Sequence, residues 1–227
     1  MRRWYEIQNA ASDEAEILIY DVIGDSFWSD SVSAKQFVDD LSGISGDIHV
    51  RINSPGGDVF DGTAIYNALI SHKGRVRTTV DGIAASMASV IAMAGETLTM
   101  PENAMMMIHD PWTMAVGNAA ELRKTAEVLD KSKLGLVAAY QAKTGLPSDE
   151  ISAIMAEETW FTGAEAVERG FADNLGEAVQ IAATWSPKLN DSMPWLKHVK
   201  AEKTISLPSE PDARKVAVRR RRMMMAQ

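Results

Sequence analysis

The sequence predicts an α/β fold in which parallel strands alternate with helices. Four short segments that are largely β-branched or apolar, each bounded by Gly, Asn or Pro, are typical of strands. They lie at 16–24, 47–53, 76–82 and 104–109. Strands that alternate with helices need crossover connections, and such connections favour parallel pairing.

Four helices are expected between and after these strands, at 31–42, 62–72, 85–95 and 117–145. Apolar residues three or four positions apart favour a helix in the first two. The last helix is the longest and has clear ends. Asn118 followed by Glu121 is a capping-box-like start, and Gly145-Leu146-Pro147 is a stop signal.

Charge divides the 227 residues into an acidic body and a basic tail. The net charge is −8, but residues 187–227 hold ten Lys and Arg against four Asp and Glu, which leaves −14 for residues 1–186. The tail also holds half of the eight prolines, and such a composition buries too little apolar surface to offset its ordering entropy. We therefore expect a folded domain at 1–183 and, at 184–227, a proline-containing linker with a basic, disordered tail.

Four consecutive arginines at 219–222 leave two interpretations of this tail open. Clustered positive charge attracts nucleic acid, an anionic surface or an acidic partner. Chain ends are also commonly solvated and contact nothing specific.

The amino-acid composition indicates the cellular compartment of the protein. The chain has no cysteine, which excludes disulfides, thiolate metal sites and a cysteine nucleophile and fits a reducing compartment. It has no run of 18 or more apolar residues, and its N-terminal segment turns polar too early for a signal peptide. We expect a soluble, cytoplasmic protein with no membrane contact.

One serine, Ser86, stands in a run of small and apolar residues at 80–95. It falls between the third predicted strand and the next helix, where free backbone N–H groups and the positive end of the helix dipole converge. Ala84 and Ala88 flank it as the small residues of a nucleophile elbow do, with alanine in place of glycine. A serine that only caps or packs the helix fits the same pattern.

A glycine-rich turn follows the second predicted strand. The Pro55-Gly56 pair favours a tight turn with positive φ at the glycine, and Gly57 lets a backbone N–H approach a ligand closely. With the amide of Met87 it would form a pair of donors for an oxyanion. A plain strand-to-helix turn fits as well, whereas the lack of Gly-Lys-Ser/Thr excludes a phosphate-binding loop.

A serine nucleophile needs a general base, and the chain has four histidines. His49 alternates with apolar residues of a strand, His72 stands at a helix end, and His198 lies in the tail. His109 remains, at the end of an apolar strand and just before a turn at Pro111. Its imidazole is expected to face a cleft, although a satisfied histidine at a strand end fits the same position.

Four motifs in this order resemble the proteolytic-subunit family of the ATP-dependent Clp protease, ClpP, and in particular its phage branch of head maturation, or prohead, proteases. They read INSPGGDVFDGTAIYNAL, GIAASMASVIAMAG, MMMIHDP and FTGAEAVERGFAD, and the similarity runs from about residue 15 to residue 180. The resemblance implies the ClpP/crotonase fold, a spiral of ββα units, and assembly into homo-oligomeric rings, as heptamers or double rings. It also implies Ser86 as nucleophile, His109 as general base, and the amides of Gly57 and Met87 as oxyanion donors.

One position departs from the pattern of that family. Thr159 stands where the family has the aspartate of its triad, and a neutral hydroxyl orients an imidazole but stabilises its charged form less than a carboxylate does. If this segment is extended, Glu157 points to the same side as Thr159 and Glu158 to the other side. Glu157 is therefore the expected stand-in, and Asp173 is a more distant candidate.

The resemblance also implies contacts for two segments. Residues 111–118, which are partly apolar, either pair with substrate backbone as an added strand or lie buried at a subunit contact. In the family, the region that corresponds to the long helix packs between rings.

The function implied is that of a serine endopeptidase without a metal ion or an organic cofactor. We expect an ATP-independent enzyme of the host cytoplasm that cleaves scaffold and capsid proteins during phage head maturation. One alternative is a chamber peptidase that works with an AAA+ unfoldase, and another is a catalytically weak or inactive assembly protein of the same fold. Acyl-CoA enzymes of the crotonase type share the fold, but their enolate chemistry does not need a serine–histidine pair.

Overall fold

The computed structural model describes residues 3–9, 13–24 and 32–178. This part of the chain folds into an eight-stranded mixed sheet with helices packed on it, which confirms the α/β class. The predicted tail at 184–227 lies outside the described residues, and its disorder stays a prediction.

Each of the four predicted strands and four predicted helices has a counterpart, and the described residues add four strands and two helices that were not predicted. The strands are β1 Tyr5–Gln8, β2 Glu14–Ile19, β3 Asp47–Ser54, β4 Val76–Ala85, β5 Thr97–Pro101, β6 Met105–Ile108, β7 Thr159–Thr162 and β8 Asn174–Gly176. The helices are α1 Ala34–Ser42, α2 Val59–Ile70, α3 Met87–Ala92, α4 Ala119–Thr144, α5 Ser148–Ala156 and α6 Gly163–Glu168. Within the described residues, we find no helix with the length and hydrophobicity of a transmembrane span.

The predicted ends of α4 are confirmed. Asn118 accepts from the amides of Ala120 and Glu121, and the Glu121 side chain accepts from the Asn118 amide, which completes the capping box. Gly145 closes the helix in the left-handed conformation, with φ 71°. Between these ends the helix runs for 26 residues, or about 39 Å at 1.5 Å per residue.

The sheet branches at β4. The main path runs β1-β2-β3-β4-β5-β8, in which β1 is antiparallel and the other pairings are parallel. The first half of β4 pairs with β5, whereas its last residues, Ile83–Ala85, pair in parallel with β6, and β7 pairs antiparallel with β6.

This branching places three loops at one edge of the sheet. In an α/β sheet, ligands bind where the carboxyl ends of parallel strands meet. Here β3 ends one residue before Pro55, β4 ends one residue before Ser86, and β6 ends one residue before His109. The glycine turn, the serine and the histidine therefore reach one edge from three separate strands.

Strict alternation on β3 separates an apolar face from a polar face. Ile48, Val50 and Ile52 are completely buried and pack in the core with Phe37 of α1 and Ile65 of α2. The residues between them project to the other face, which carries charged and hydroxyl side chains. Burying one face of the sheet fixes its register, because a shift of one residue would exchange the two faces.

An ion pair with a buried carboxylate joins β3 to β4 on the polar face. Arg51 donates from Nε and Nη2 to the two carboxylate oxygens of Asp81, at 2.8 and 2.9 Å, and the Tyr20 hydroxyl donates to the same carboxylate. Asp81 is only 1% exposed. A carboxylate so far removed from water is stable only while its hydrogen-bonding partners remain.

We predict that Arg51→Ala lowers the free energy of unfolding by about 3–5 kcal/mol, because it leaves the Asp81 carboxylate buried without its cation. Urea denaturation followed by circular dichroism measures the loss. The matched control is Arg77→Ala, which removes an ion pair with Glu14 on the same face. Those two side chains are 51% and 44% exposed, so the control is expected to lose less than about 1 kcal/mol. Equal losses in the two variants would contradict this account.

Candidate active site

Ser86 occupies a sharp turn between β4 and α3. Its backbone has φ 54° and ψ −128°, a conformation that residues other than glycine adopt only under strain, at about 1–3 kcal/mol. The Ser86 amide donates to the Met107 carbonyl at 2.9 Å, which ties the turn to β6. Ala84, Ala85 and Ala88 around it are completely buried, so larger side chains would not fit. The turn has the geometry that the small residues predict for a nucleophile elbow.

Gly56 packs directly against this turn. It has φ 97°, as the Pro-Gly pair predicts. A Cβ on Gly56 would lie 2.6 Å from the Ala85 carbonyl oxygen and 2.7 Å from Ser86 Cβ. The Gly56 amide donates to Ser54 Oγ at 3.1 Å, so it is already engaged. The next amide along the chain, that of Gly57, is the one left to face a ligand.

The amides of Gly57 and Met87 fit the requirements for oxyanion donors. Gly57 is exposed and fixed by a short parallel bridge, in which the Ile23 amide donates to the Gly56 carbonyl and the Asp58 amide donates to the Ile23 carbonyl. Met87 is the first residue of α3, where an amide has no partner within the helix. Among the described residues, neither N–H donates a hydrogen bond to another protein group.

His109 follows β6 and reaches Ser86. Its Nε2 lies 2.8 Å from Ser86 Oγ, which fits a hydrogen bond in which the hydroxyl donates to a neutral imidazole. Burial lowers the pKa of His109 below the usual value, whereas the charges of Glu158 and Asp110 raise it. Because burial is the largest effect, the imidazole is mainly neutral at pH 7 and able to accept a proton.

A second serine supports the turn and was not predicted from the sequence. Ser89 donates its hydroxyl proton to the Ser86 carbonyl at 2.5 Å, and Tyr140 of α4 therefore donates to Ser89 Oγ, at 2.7 Å. Tyr140 and Ser89 are both buried, and burial raises the pKa of the tyrosine well above the usual value. The sequence contained one indication of this contact. Ser89 lies three residues after Ser86, a spacing that places two residues on the same side of a helix.

Thr159 lies close to His109 in the chain fold, but its hydroxyl donates to another group. It pairs with Ile108 in the antiparallel register of β6 and β7, so it adjoins the residue before the histidine. Its Oγ1 donates to the Ile154 carbonyl at 2.8 Å. The hydroxyl brings no charge to the site.

The carboxylates near Thr159 are not arranged as the sequence suggested. Glu157 is the C-cap residue of α5 and Glu158 has φ 49°, so the extended segment assumed for Glu157 begins only at Thr159. Among these glutamates, the one whose charge affects the pKa of His109 is Glu158. Asp173 is engaged away from the site, because it accepts from the Leu98 amide at 2.6 Å and pairs with Lys143 at 2.5 Å.

The two other described histidines have structural partners. His49 Nε2 lies 2.9 Å from Thr79 Oγ1 on the polar sheet face, and burial lowers its pKa. His72 Nε2 lies 2.8 Å from the Gly46 carbonyl oxygen. Of the histidines in the described part of the chain, His109 is therefore the one positioned beside Ser86.

This chain is similar to known proteins over most of its length. The Clp protease family matches residues 1–179. The ATP-dependent Clp protease proteolytic subunit of Bacteroides fragilis strain ATCC 25285 is 32% identical over 154 residues, which cover 66% of this chain and 74% of that protein. Proteolytic subunit 1 of Leifsonia xyli subsp. xyli is 32% identical over 139 residues, or 60% and 71% of the two chains. Proteolytic subunit 1 of Mycobacterium tuberculosis strain H37Rv is 36% identical over 137 residues, or 58% and 66%.

We predict that Gly56→Ala slows the modification of Ser86 by a serine-directed fluorophosphonate at least about 100-fold, because the added Cβ displaces the turn from its oxyanion donors. Mass spectrometry of the adduct over time measures the rate. The matched control is Gly135→Ala, since a Cβ on this α4 glycine meets nothing within 4 Å. A normal rate in Gly56→Ala, or an equal loss in the control, would contradict the packing described here.

Proposed function

The chain belongs to the Clp protease family and is a serine-type peptidase, and we propose that it is an endopeptidase with Ser86 as nucleophile and His109 as general base. The observation that carries this proposal is the 2.8 Å contact between His109 Nε2 and Ser86 Oγ at a strained strand-to-helix turn. A strained serine within hydrogen-bonding distance of a neutral imidazole is the arrangement that nucleophilic catalysis requires.

In the first half of the proposed reaction, Ser86 Oγ attacks the carbonyl carbon of a peptide bond while His109 Nε2 takes the hydroxyl proton. The carbonyl electrons move to oxygen, and the amides of Gly57 and Met87 donate to the oxyanion. When the tetrahedral intermediate collapses, the C–N bond breaks and His109 gives its proton to the leaving amine. The product is an ester between the acyl group and Ser86.

In the second half, water takes the place of the amine. His109 accepts a proton from the water as its oxygen attacks the ester, and the same two amides stabilise the second oxyanion. Collapse of this intermediate returns the proton to Ser86 Oγ and releases the carboxylic acid. Neither half needs a metal ion or an organic cofactor.

For the biological role, we infer an ATP-independent protease that trims scaffold and capsid proteins in the host cytoplasm during phage head maturation. The support for this role is the sequence resemblance of the four motifs to prohead proteases. The basic segment at 219–222 would then hold the enzyme near scaffold or nucleic acid, because clustered arginines attract anionic partners.

The second candidate is a chamber peptidase that works with an AAA+ unfoldase. The curated relatives named above favour it, since each is described as an ATP-dependent Clp protease proteolytic subunit. Assembly into a homo-oligomeric ring is common to both candidates. It would cover the apolar side chains that this chain exposes between β6 and the middle of α4, namely Trp112, Met114, Val116, Leu122, Val128 and Leu134.

A weak or inactive assembly protein is the third candidate, and Thr159 favours it. In serine proteases of the trypsin type, replacing the triad carboxylate lowers kcat about 10⁴-fold while a large acceleration over water remains. Slow hydrolysis is therefore compatible with a neutral third residue.

We predict that a fluorophosphonate forms its adduct on Ser86, and that His109→Ala lowers the rate of adduct formation at least about 100-fold, because a general base contributes about 10²–10⁴. Since burial lowers the pKa of His109, the rate should be nearly constant from pH 7 to pH 8. It should fall on acidification with a midpoint below about 6.5. Ser42→Ala, at an exposed serine of α1, is the control. Labelling at another residue would exclude the proposed nucleophile.

For the biological role, we predict that co-expression of the chain with the scaffold and capsid proteins of the same genome yields truncated products without any ATPase. The Ser86→Ala variant should leave these proteins intact. Gel electrophoresis and mass spectrometry of the products give the readout. If cleavage occurs only when an AAA+ unfoldase and ATP are added, the chamber-peptidase candidate replaces the phage role.

A further inference from the structure

Ser89 donates to the backbone oxygen that precedes one of the proposed oxyanion donors. The Ser86 carbonyl accepts from the amides of Ser89 and Val90, at 2.9 and 3.4 Å, and from the Ser89 hydroxyl at 2.5 Å. The hydroxyl contact is the shortest of the three. The two amide contacts belong to the first turn of α3, whereas the hydroxyl contact depends on the side chain at position 89.

This carbonyl and the Met87 amide belong to one peptide unit. The unit is planar and, like the other described peptide bonds, trans, so its C=O and N–H bonds point in opposite directions. A donor that fixes the Ser86 oxygen therefore fixes the direction of the Met87 N–H. It also polarises the peptide, which strengthens the N–H as a donor. Ser89 thus acts on a proposed oxyanion donor without contact to the substrate.

Tyr140 holds the Ser89 hydroxyl in this orientation. Because Ser89 uses its one proton on the Ser86 carbonyl, the Tyr140 hydroxyl is the donor in the 2.7 Å contact between them. Ser89 is 0% exposed and Tyr140 is 1% exposed, so water does not compete for either hydroxyl. The rings of Tyr140 and Phe171 pack edge to face, with centroids 5.9 Å apart. A side chain of α4 therefore completes the chain of hydroxyls that begins at the turn.

The second proposed donor is fixed in a corresponding way. The Gly57 amide shares its peptide unit with the Gly56 carbonyl, which accepts from the Ile23 amide at 2.8 Å. Both proposed donors thus follow a carbonyl that another group holds. At Gly57 the holding group is a backbone amide, whereas at Met87 it includes a side chain that a substitution can remove.

A serine that donates to a helix carbonyl is not unusual in itself. The Ser42 hydroxyl donates to the Asp39 carbonyl at 2.7 Å, three residues earlier, as the Ser89 hydroxyl does to Ser86. Ser42 is exposed, however, and its contact is local. Ser89 differs because it is buried and receives a second bond from a residue 51 positions away. A buried and paired network of this kind rigidifies the groups that it joins.

We propose that Ser89, supported by Tyr140, is a positioning residue for the Met87 amide and thereby for stabilisation of the oxyanion. This inference depends on the proposed function, in which that amide stabilises the tetrahedral intermediate. The two hydroxyls act on the negative charge that develops on the carbonyl oxygen of the substrate, and not on the proton that His109 takes. Their removal should therefore slow the reaction while the titration of His109 stays unchanged.

The test uses a main variant, Ser89→Ala/Tyr140→Phe, that removes both hydroxyls together. Ser89→Ala alone would leave the buried Tyr140 hydroxyl without an acceptor, and an unsatisfied buried donor destabilises the fold. Tyr140→Phe alone keeps the Ser89 hydroxyl and tests the support that it receives. Ser42→Ala removes the same local contact from an exposed helix position and is the matched control.

Two chemical probes are applied to each protein. Fluorophosphonate modification of Ser86, at several reagent concentrations and from pH 5 to pH 9, gives the maximal rate constant and the half-saturating concentration. Carbethoxylation of His109 by diethyl pyrocarbonate, located by mass spectrometry, gives the midpoint of its titration.

The peptide between Ser86 and Met87 is also observed directly, by NMR of protein labelled with ¹³C at serine carbonyls and ¹⁵N at methionine. Ser-Met occurs in the sequence at 86–87 and 192–193, so two correlated signals are expected, and Met193→Leu identifies the second. A hydrogen bond to a carbonyl oxygen draws electron density from the whole peptide. Loss of the Ser89 hydroxyl should therefore move the ¹⁵N signal of Met87 upfield, whether or not the protein is reactive.

In Ser89→Ala/Tyr140→Phe, the maximal rate constant should fall about tenfold, in line with the loss of one hydrogen bond. The half-saturating concentration should stay the same, because the oxyanion forms only in the transition state. The titration midpoint of His109 should not move. Tyr140→Phe alone should lose about threefold in the maximal rate constant, and Ser42→Ala should match wild type.

A normal rate constant in the double variant would overturn the proposal, as would an equal loss in Ser42→Ala. A loss that comes with a moved His109 midpoint, or with a raised half-saturating concentration, would show that the hydroxyls support the whole site and not the Met87 amide. If wild type is not modified at Ser86, the proposed function itself fails, and the Met87 signal then decides the positioning. A signal that moves in the double variant supports it, and an unmoved signal overturns it.

Discussion

Ser86 and His109 share a hydrogen bond because the backbone turns sharply between β4 and α3, with positive φ at Ser86. That turn requires buried alanines at 84, 85 and 88 and a glycine at 56, since a Cβ there would lie 2.7 Å from Ser86 Cβ. The Met107 carbonyl and the Ser89–Tyr140 pair then hold the strained residue in place. The small residues that first set Ser86 apart are therefore a steric requirement of the turn.

The sheet supplies the rigidity on which this turn depends. Branching at β4 lets one strand pair with β5 near its start and with β6 at its end, so the serine and the histidine leave adjacent strands at the same edge. The Arg51–Asp81 pair links β3 to β4 on the opposite face from the core. A strained conformation persists when the surrounding structure holds the backbone in place. Here three neighbouring strands hold it.

Sequence patterns correctly predicted the features that depend on residues close together in the chain. The α/β class, the capping box of Asn118 and the positive φ of Gly56 follow from spacing and residue type, and elimination among the histidines singled out His109. The residues that surround the His109 imidazole could not be predicted in this way. Glu157 is the C-cap residue of α5 and Glu158 has φ 49°, so the extended segment that was assumed for Glu157 begins only at Thr159. The Ser89–Tyr140 contact joins residues 51 positions apart, a separation that no local pattern encodes.

The proposed mechanism requires that one hydroxyl, one imidazole and two main-chain amides surround a single reacting carbonyl. A crystal structure of the protein with a phosphonate bound covalently to Ser86 tests it most directly, because the phosphoryl oxygen imitates the oxyanion. This oxygen should lie about 2.7–3.1 Å from the backbone nitrogens of both Gly57 and Met87, with His109 still beside Ser86 Oγ. An oxygen that points to solvent, or that contacts neither amide, would contradict it.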